Sequence, residues 1–161
     1  MTFVTVNYKD WGFAVDRELT KQTYDKVKSS GADNCVCANC KNYIEYRDKV
    51  FPSEIKQLLI DLGIDYRKEV EIYSLETLPN GRIRIQGWFH FKGKVLCGKN
   101  YLVPLPKGGF TYDLTAITED FSIGFDEGND LTYFEDKEGL VQLQFSANIP
   151  WVIDKKLNTN K

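Results

Sequence analysis

After a short alternating start, hydrophobic positions fall at helical spacing as far as Ile64, and from Val70 the period moves from 3.6 toward 2. Thr2 to Tyr8 alternates Phe3, Thr5 and Asn7 against Val4, Val6 and Tyr8, which predicts a strand with apolar side chains on both faces. Leu19 to Lys28 is charged at most positions, with Leu19, Thr23, Tyr24 and Val27 at helical spacing. This predicts a largely exposed helix ended by Ser29-Ser30-Gly31. Asp33 or Asn34 can cap a second helix running through three cysteines to about Lys49, because short polar side chains accept the free amide hydrogens of a first turn. Phe51-Pro52-Ser53 interrupts it. Ile55, Leu58, Leu59 and Leu62 then mark an amphipathic helix, with Gly63 placed to end it.

The second half reads as short strands. Leu78-Pro79-Asn80-Gly81-Arg82 predicts a hairpin with Gly81 in the left-handed region, setting Leu75 opposite Ile85 and Glu76 opposite Arg84. Arg82 to Lys92 puts Ile83, Ile85, Phe89 and Phe91 on one face and Arg82, Arg84, Gln86, Trp88, His90 and Lys92 on the other. Lys92-Gly93 reads as the next tight turn, which would pair His90 with Val95 and Trp88 with Cys97. Val95 to Val103, Thr118 to Phe125, Leu131 to Phe134 and Leu140 to Phe145 complete the set, the last with Val141, Leu143 and Phe145 inward.

Helical segments followed by a meander predict an α+β fold: a helix-rich N-terminal part packed on an antiparallel sheet. At 161 residues the chain fits one domain, here residues 1–157, with a disordered tail over 158–161. Lys and Arg number 21 against 23 Asp and Glu, so there is no global basic field for double-stranded nucleic acid. No apolar stretch approaches bilayer length and no basic, apolar leader opens the chain. The expectation is a cytoplasmic protein without a membrane role. The four cysteines are wrongly spaced for a secreted disulfide scaffold, so reduced thiols are expected.

Cys35, Cys37 and Cys40 carry the most concentrated chemistry. Their Cys-x-Cys-x-x-Cys spacing supplies three thiolate donors, and tetrahedral structural zinc takes four. The expected fourth ligand is Cys97, with His90 as the alternative, since the proposed hairpin puts both on one face. Two other readings compete. Cys37, Cys40 and Ile44 form an apolar helical stripe that simple core packing explains, and Cys37-Ala38-Asn39-Cys40 at a helix start suits thiol redox chemistry. Arg82, Arg84, Trp88 and His90 offer a basic, aromatic sheet face for a ligand or partner, and the same alternation describes an ordinary solvated face. Asp126-Glu127-Gly128-Asn129-Asp130 lacks the ligand order of a calcium loop, and Lys107-Gly108-Gly109 is not a phosphate loop.

The cysteine segment, Phe51-Pro52, Leu62-Gly63-Ile64-Asp65, Gly87-Trp88-Phe89-His90-Phe91 and Pro150-Trp151-Val152 together resemble a family of uncharacterised bacterial proteins, from about Cys35 to Val152. The resemblance implies a bacterial cytosolic protein of one domain and brings no activity or catalytic residue with it. The functional expectation is a binding or interaction protein, not an enzyme, with an unidentified protein or small-molecule partner and a zinc-cysteine site. The alternatives are a thiol-based redox enzyme using Cys35, Cys37 and Cys40, or an immunity-type protein that blocks a toxin.

Overall fold

The computed structural model describes residues 2–153, so the expected tail over 158–161 lies outside them. The chain opens with a hairpin, β1 (Val4–Tyr8) and β2 (Trp11–Val15), before three helices: α1 (Arg17–Asp25), α2 (Ala38–Val50) and α3 (Ser53–Leu62). Then come β3 (Glu71–Thr77), β4 (Ile83–Cys97), β5 (Leu102–Pro104), β6 (Phe110–Tyr112), β7 (Thr115–Thr118), β8 (Phe121–Glu127) and β9 (Leu140–Ile149). The α+β expectation holds, although the N-terminal part is a hairpin as well as helices. The main sheet runs β1-β2-β4-β9-β8-β7, with β3 also on β4, and every pairing is antiparallel.

Strand β4 is the spine. It pairs with β9 from Ile83 to Lys92, with β3 along its first part and with β2 along its last. The expected turn at Lys92-Gly93 is absent because Gly93 answers a different need: a Cβ there would stand 2.0 Å from the Ala14 carbonyl oxygen. His90 therefore faces Gln142, and Cys97 faces Gly12. The β3–β4 hairpin forms with Gly81 at φ 87° and Glu76 opposite Arg84. A bulge at Leu75 shifts the register beyond it, so Ile85 meets Ser74. Leu131 to Phe134 is not a strand, and the predicted Val95 to Val103 strand divides into the end of β4 and β5.

One face of β4, β9 and β8 builds the core. Ile85, Phe89 and Phe91 lie beside Phe145, Leu143 and Val141, all essentially inaccessible. Phe51, between α2 and α3, fills the centre with its ring 5.0 Å from Phe145 and 5.7 Å from Phe121. These aromatic contacts fix how the two helices sit on the sheet. Helix α3 ends as expected, Gly63 adopting φ 86°.

The edge of β4 is bare between β3 and β2, and α1 fills that gap. Tyr24 Oη donates to the His90 carbonyl and accepts from its N–H, each at 2.9 Å. Two residues on, the Lys92 N–H reaches Thr20 Oγ1 at 3.0 Å, while the Asp16 N–H reaches the Lys92 carbonyl at 2.8 Å. Buried backbone groups require partners, and here a helix supplies them. The helix expected to be largely exposed thus buries Thr20 and Tyr24 completely.

The opposite sheet face is polar, as the alternation predicts, but much of it is covered. His90 Nε2 meets Gln142 Oε1 at 3.1 Å, Gln142 Nε2 reaches Tyr101 Oη, and Gln144 joins Tyr73 and Gln86. His90 and Gln144 have no accessible surface. No described helix is long and apolar enough to cross a membrane.

Candidate metal centre

The segment before α2 is held by a buried ionic anchor. Gly31 N–H bonds the Glu69 carbonyl at 2.9 Å and Ala32 N–H bonds Glu69 Oε2 at 3.0 Å. A Cβ at Gly31 would stand 2.3 Å from the Val70 carbonyl oxygen, so the loop lies directly on this backbone. Arg47, on α2, reaches Asp33 Oδ1 at 2.9 Å with Nη2 and stands 3.7 Å from Glu69 Oε1 with Nε. Glu69 is completely buried and Arg47 nearly so, whereas Asp33 stands at the surface. Burial pushes the Glu69 carboxyl upward despite hydrogen bonds from Ser30 and Ala32 and the nearby Arg47. For Asp33 burial also acts upward, but hydrogen bonds from Ser30 and Arg47 outweigh it and hold the carboxyl low.

Two residues beyond Asp33 the cysteines begin. The expected caps, Asp33 and Asn34, belong to a preceding turn in which Asn34 N–H bonds the Ser30 carbonyl. The residue that caps α2 is Cys37. Its backbone is extended (φ −72°, ψ 158°), its carbonyl accepts from Lys41 N–H at 3.1 Å, and its sulfur accepts from Cys40 N–H at 3.4 Å. The sulfur here takes the place of the oxygen usually found at a helix start, and the positive end of the helix dipole favours its ionised form. Cys35 Sγ lies 3.1 Å from Cys37 Sγ, and the Cys37 N–H also points to it at 3.5 Å.

All three sulfurs lie within 4.8 Å of one another. Sulfurs bound about 2.3 Å from a tetrahedral metal ion would stand about 3.8 Å apart, so a trio this close could hold an ion. Their surroundings differ: Cys40 is buried, Cys35 is half-buried and Cys37 is exposed. Burial acts to raise the Cys37 thiol, but hydrogen bonds from Cys40 N–H and from Cys35 outweigh it and hold the thiol below its ordinary value. Cys40 is pushed up by burial and by its two sulfur neighbours. Three mutually close thiols resist ionising together, and a cation among them removes that opposition. The packing explanation therefore fits Cys40 but not exposed Cys37.

A polar clasp fixes the other side of α2. Asn42 Nδ2 donates to the Pro150 carbonyl at 3.0 Å, and its Oδ1 accepts from Val152 N–H at 2.7 Å. Arg47, Glu69 and Asn42 are the supporting residues the sequence reading missed. For Arg47 a signal existed, since it shares a helical face with Tyr43 and Val50, both buried. Glu69 carries no comparable pattern.

The remaining candidates do not join the trio. Cys97 is exposed at the far end of β4, its sulfur 3.7 Å from the Asp10 carbonyl oxygen. His90 is sealed in the polar network with Gln142. The turn expected to set His90 and Cys97 on one face of a hairpin does not form. Among the described residues, Cys35, Cys37 and Cys40 are the group of three ligands brought within reach of one ion.

The proposed ligand face is also altered. Arg84 pairs with Glu76 at 3.1 Å and Arg82 lies 3.8 Å from Asp120, so local carboxylates offset both charges. Trp88 Nε1 donates to the Asp130 carbonyl, while His90 is not on the surface. Arg82, Arg84, Trp88 and His90 thus do not present one free basic face.

No protein-family model, curated protein or solved structure matches this chain.

Proposed function

We propose that this chain is a non-catalytic binding protein in which Cys35, Cys37 and Cys40 hold a zinc ion that fixes the entry to α2. The observation that carries the reading is the convergence of three sulfurs within 4.8 Å on a segment already anchored by Glu69 and Arg47. Thiolate donors suit soft and borderline metals, and a preorganised loop limits the ordering needed to bind one. Three protein thiolates leave a fourth position for water or for a ligand from a partner, and exposed Cys37 puts that corner at the surface.

The binding role draws support from the β5–β6 hairpin. Val103, Leu105, Phe110 and Tyr112 expose apolar surface there, the chemistry of a protein-contact region.

Metal content per chain tests the reading, on protein purified without added metal or a metal-affinity step. About one zinc per chain is expected, with Cys35 and Cys37 protected from alkylation until a strong chelator is added. Exposed Cys97 is the internal control and reacts throughout. Absence of bound metal, together with failure to take up zinc on titration, overturns the proposal.

A further inference from the structure

Within the trio, one pair is arranged for a different reaction. Cys35 and Cys37 have their sulfurs 3.1 Å apart, and a disulfide requires about 2.05 Å. The gap closes by roughly an ångström of side-chain movement. Cys37 is exposed and can meet a reagent from solvent, and Cys35 is half-buried beside it. Cys40 is only 6% exposed, and its backbone N–H holds the Cys37 sulfur from the helix side. An incoming disulfide therefore reaches Cys37 on the side away from Cys40, with Cys35 already adjacent.

We infer that Cys35 and Cys37 undergo thiol–disulfide exchange with a low-molecular-weight disulfide, forming a reversible Cys35–Cys37 bond that strips the metal site of two of its three sulfurs. In the first step the Cys37 thiolate attacks one sulfur of the small disulfide. Its S–S bond breaks, a mixed disulfide forms on Cys37, and the first small thiolate leaves. In the second step the Cys35 thiolate attacks the Cys37 sulfur and expels the second small thiolate. Two protein thiols are oxidised and one small disulfide is reduced to two thiols, which take up the two protons lost by the protein. Cys40 remains a thiol, alone unable to retain the ion.

The exchange stands on sulfur geometry, and only its consequence, metal release, rests on the zinc reading. Oxidised glutathione is the probe, applied separately to reduced metal-free protein and to zinc-loaded protein. Cys35, Cys37 and Cys40 share the tryptic peptide from Ser29 to Lys41, so fragment ions after alkylation must assign the bond.

In the metal-free sample the expected product is a Cys35–Cys37 disulfide with Cys40 alkylated. Cys35→Ser should stall at a mixed disulfide on Cys37, while Cys40→Ser should still yield the Cys35–Cys37 bond. A Cys37–Cys40 bond, or thiols that stay reduced across the glutathione redox range, overturns the inference. A chromophoric chelator follows zinc in the loaded sample, where one ion released per disulfide formed is expected. Failure of the reduced protein to take up zinc on titration, with the disulfide still forming, overturns the zinc reading and leaves the exchange standing. Zinc retained after the disulfide has formed overturns the inferred release.

Discussion

Acid should destabilise this protein through His90, its single histidine. Burial drives the imidazole from its ordinary value of 6.5 down to about 4, opposed in part by the bond to Gln142. The geometry agrees: in the neutral ring Nε2–H donates to Gln142 Oε1, whereas Nδ1 has no hydrogen-bond partner, so a second ring proton would be buried without an acceptor. The folded pKa lies below the unfolded one, so between pH 6.5 and about 4 the unfolded chain binds a proton that the fold does not. Stability falls as pH drops through that window and is insensitive to this group above it. At 1.36 kcal/mol per unit, the full contribution is roughly 3 kcal/mol. Glu69 and Asp126 work in the opposite sense, because burial raises both carboxyls and the fold takes up their protons on acidification. The His90 share is therefore the difference between the parent and His90→Gln. Urea unfolding should be measured for both at pH 7, 6, 5 and 4.5, and NMR should follow the single imidazole in the folded protein. The expected result is a parent that loses roughly 2 kcal/mol more than the variant between pH 7 and 4.5. Parallel loss in the two proteins, or a native imidazole titrating near 6.5, refutes the argument.

Arg47→Met should cost about 3–5 kcal/mol at pH 7 in denaturant unfolding, because buried Glu69 loses the cation that faces it. The loss should shrink on acidification as Glu69 takes up a proton. Tyr24→Phe should cost about 1–3 kcal/mol, since the His90 N–H and C=O both lose their partner. A cost under about 0.5 kcal/mol would show that water replaces the hydroxyl. Gly93→Ala should lower the thermal midpoint through the 2.0 Å approach to Ala14, a loss of about 1–3 kcal/mol. An unchanged midpoint would mean that β2 and β4 separate there at little cost.

What the sequence made legible was local. Ile55, Leu58, Leu59, Leu62 and Gly63 state α3 and its end, because periodicity and a left-handed glycine are properties of adjacent residues. The Glu76–Arg84 pairing follows from hairpin geometry as far as the bulge at Leu75. At Gly93 the same kind of signal misled, since glycine serves close backbone approach as readily as a turn, and the approaching Ala14 is far away in sequence. That error set His90 and Cys97 on one hairpin face, whereas His90 pairs with Gln142 and Cys97 with Gly12. The alternation of β4 was legible as well, but not its cover, because Gln142 and Tyr101 reach His90's face from distant segments. Spacing revealed the cysteine trio, whereas its anchor depends on a meeting of Asp33, Arg47 and Glu69 that no local pattern encodes.

The helix that completes the edge of β4 has a consequence for cooperativity. The amides of His90 and Lys92 are protected by side chains of α1 and not by a neighbouring strand, so their hydrogen exchange reports the undocking of a helix. The β1–β2 hairpin and the β3–β4 hairpin meet on the same strand with α1 spanning the interval between them. Releasing α1 unmasks the middle of the central strand and removes what joins the two halves of that edge. Exchange at these two amides should therefore follow the docking of a single nine-residue helix near the start of the chain, although both lie in the central strand.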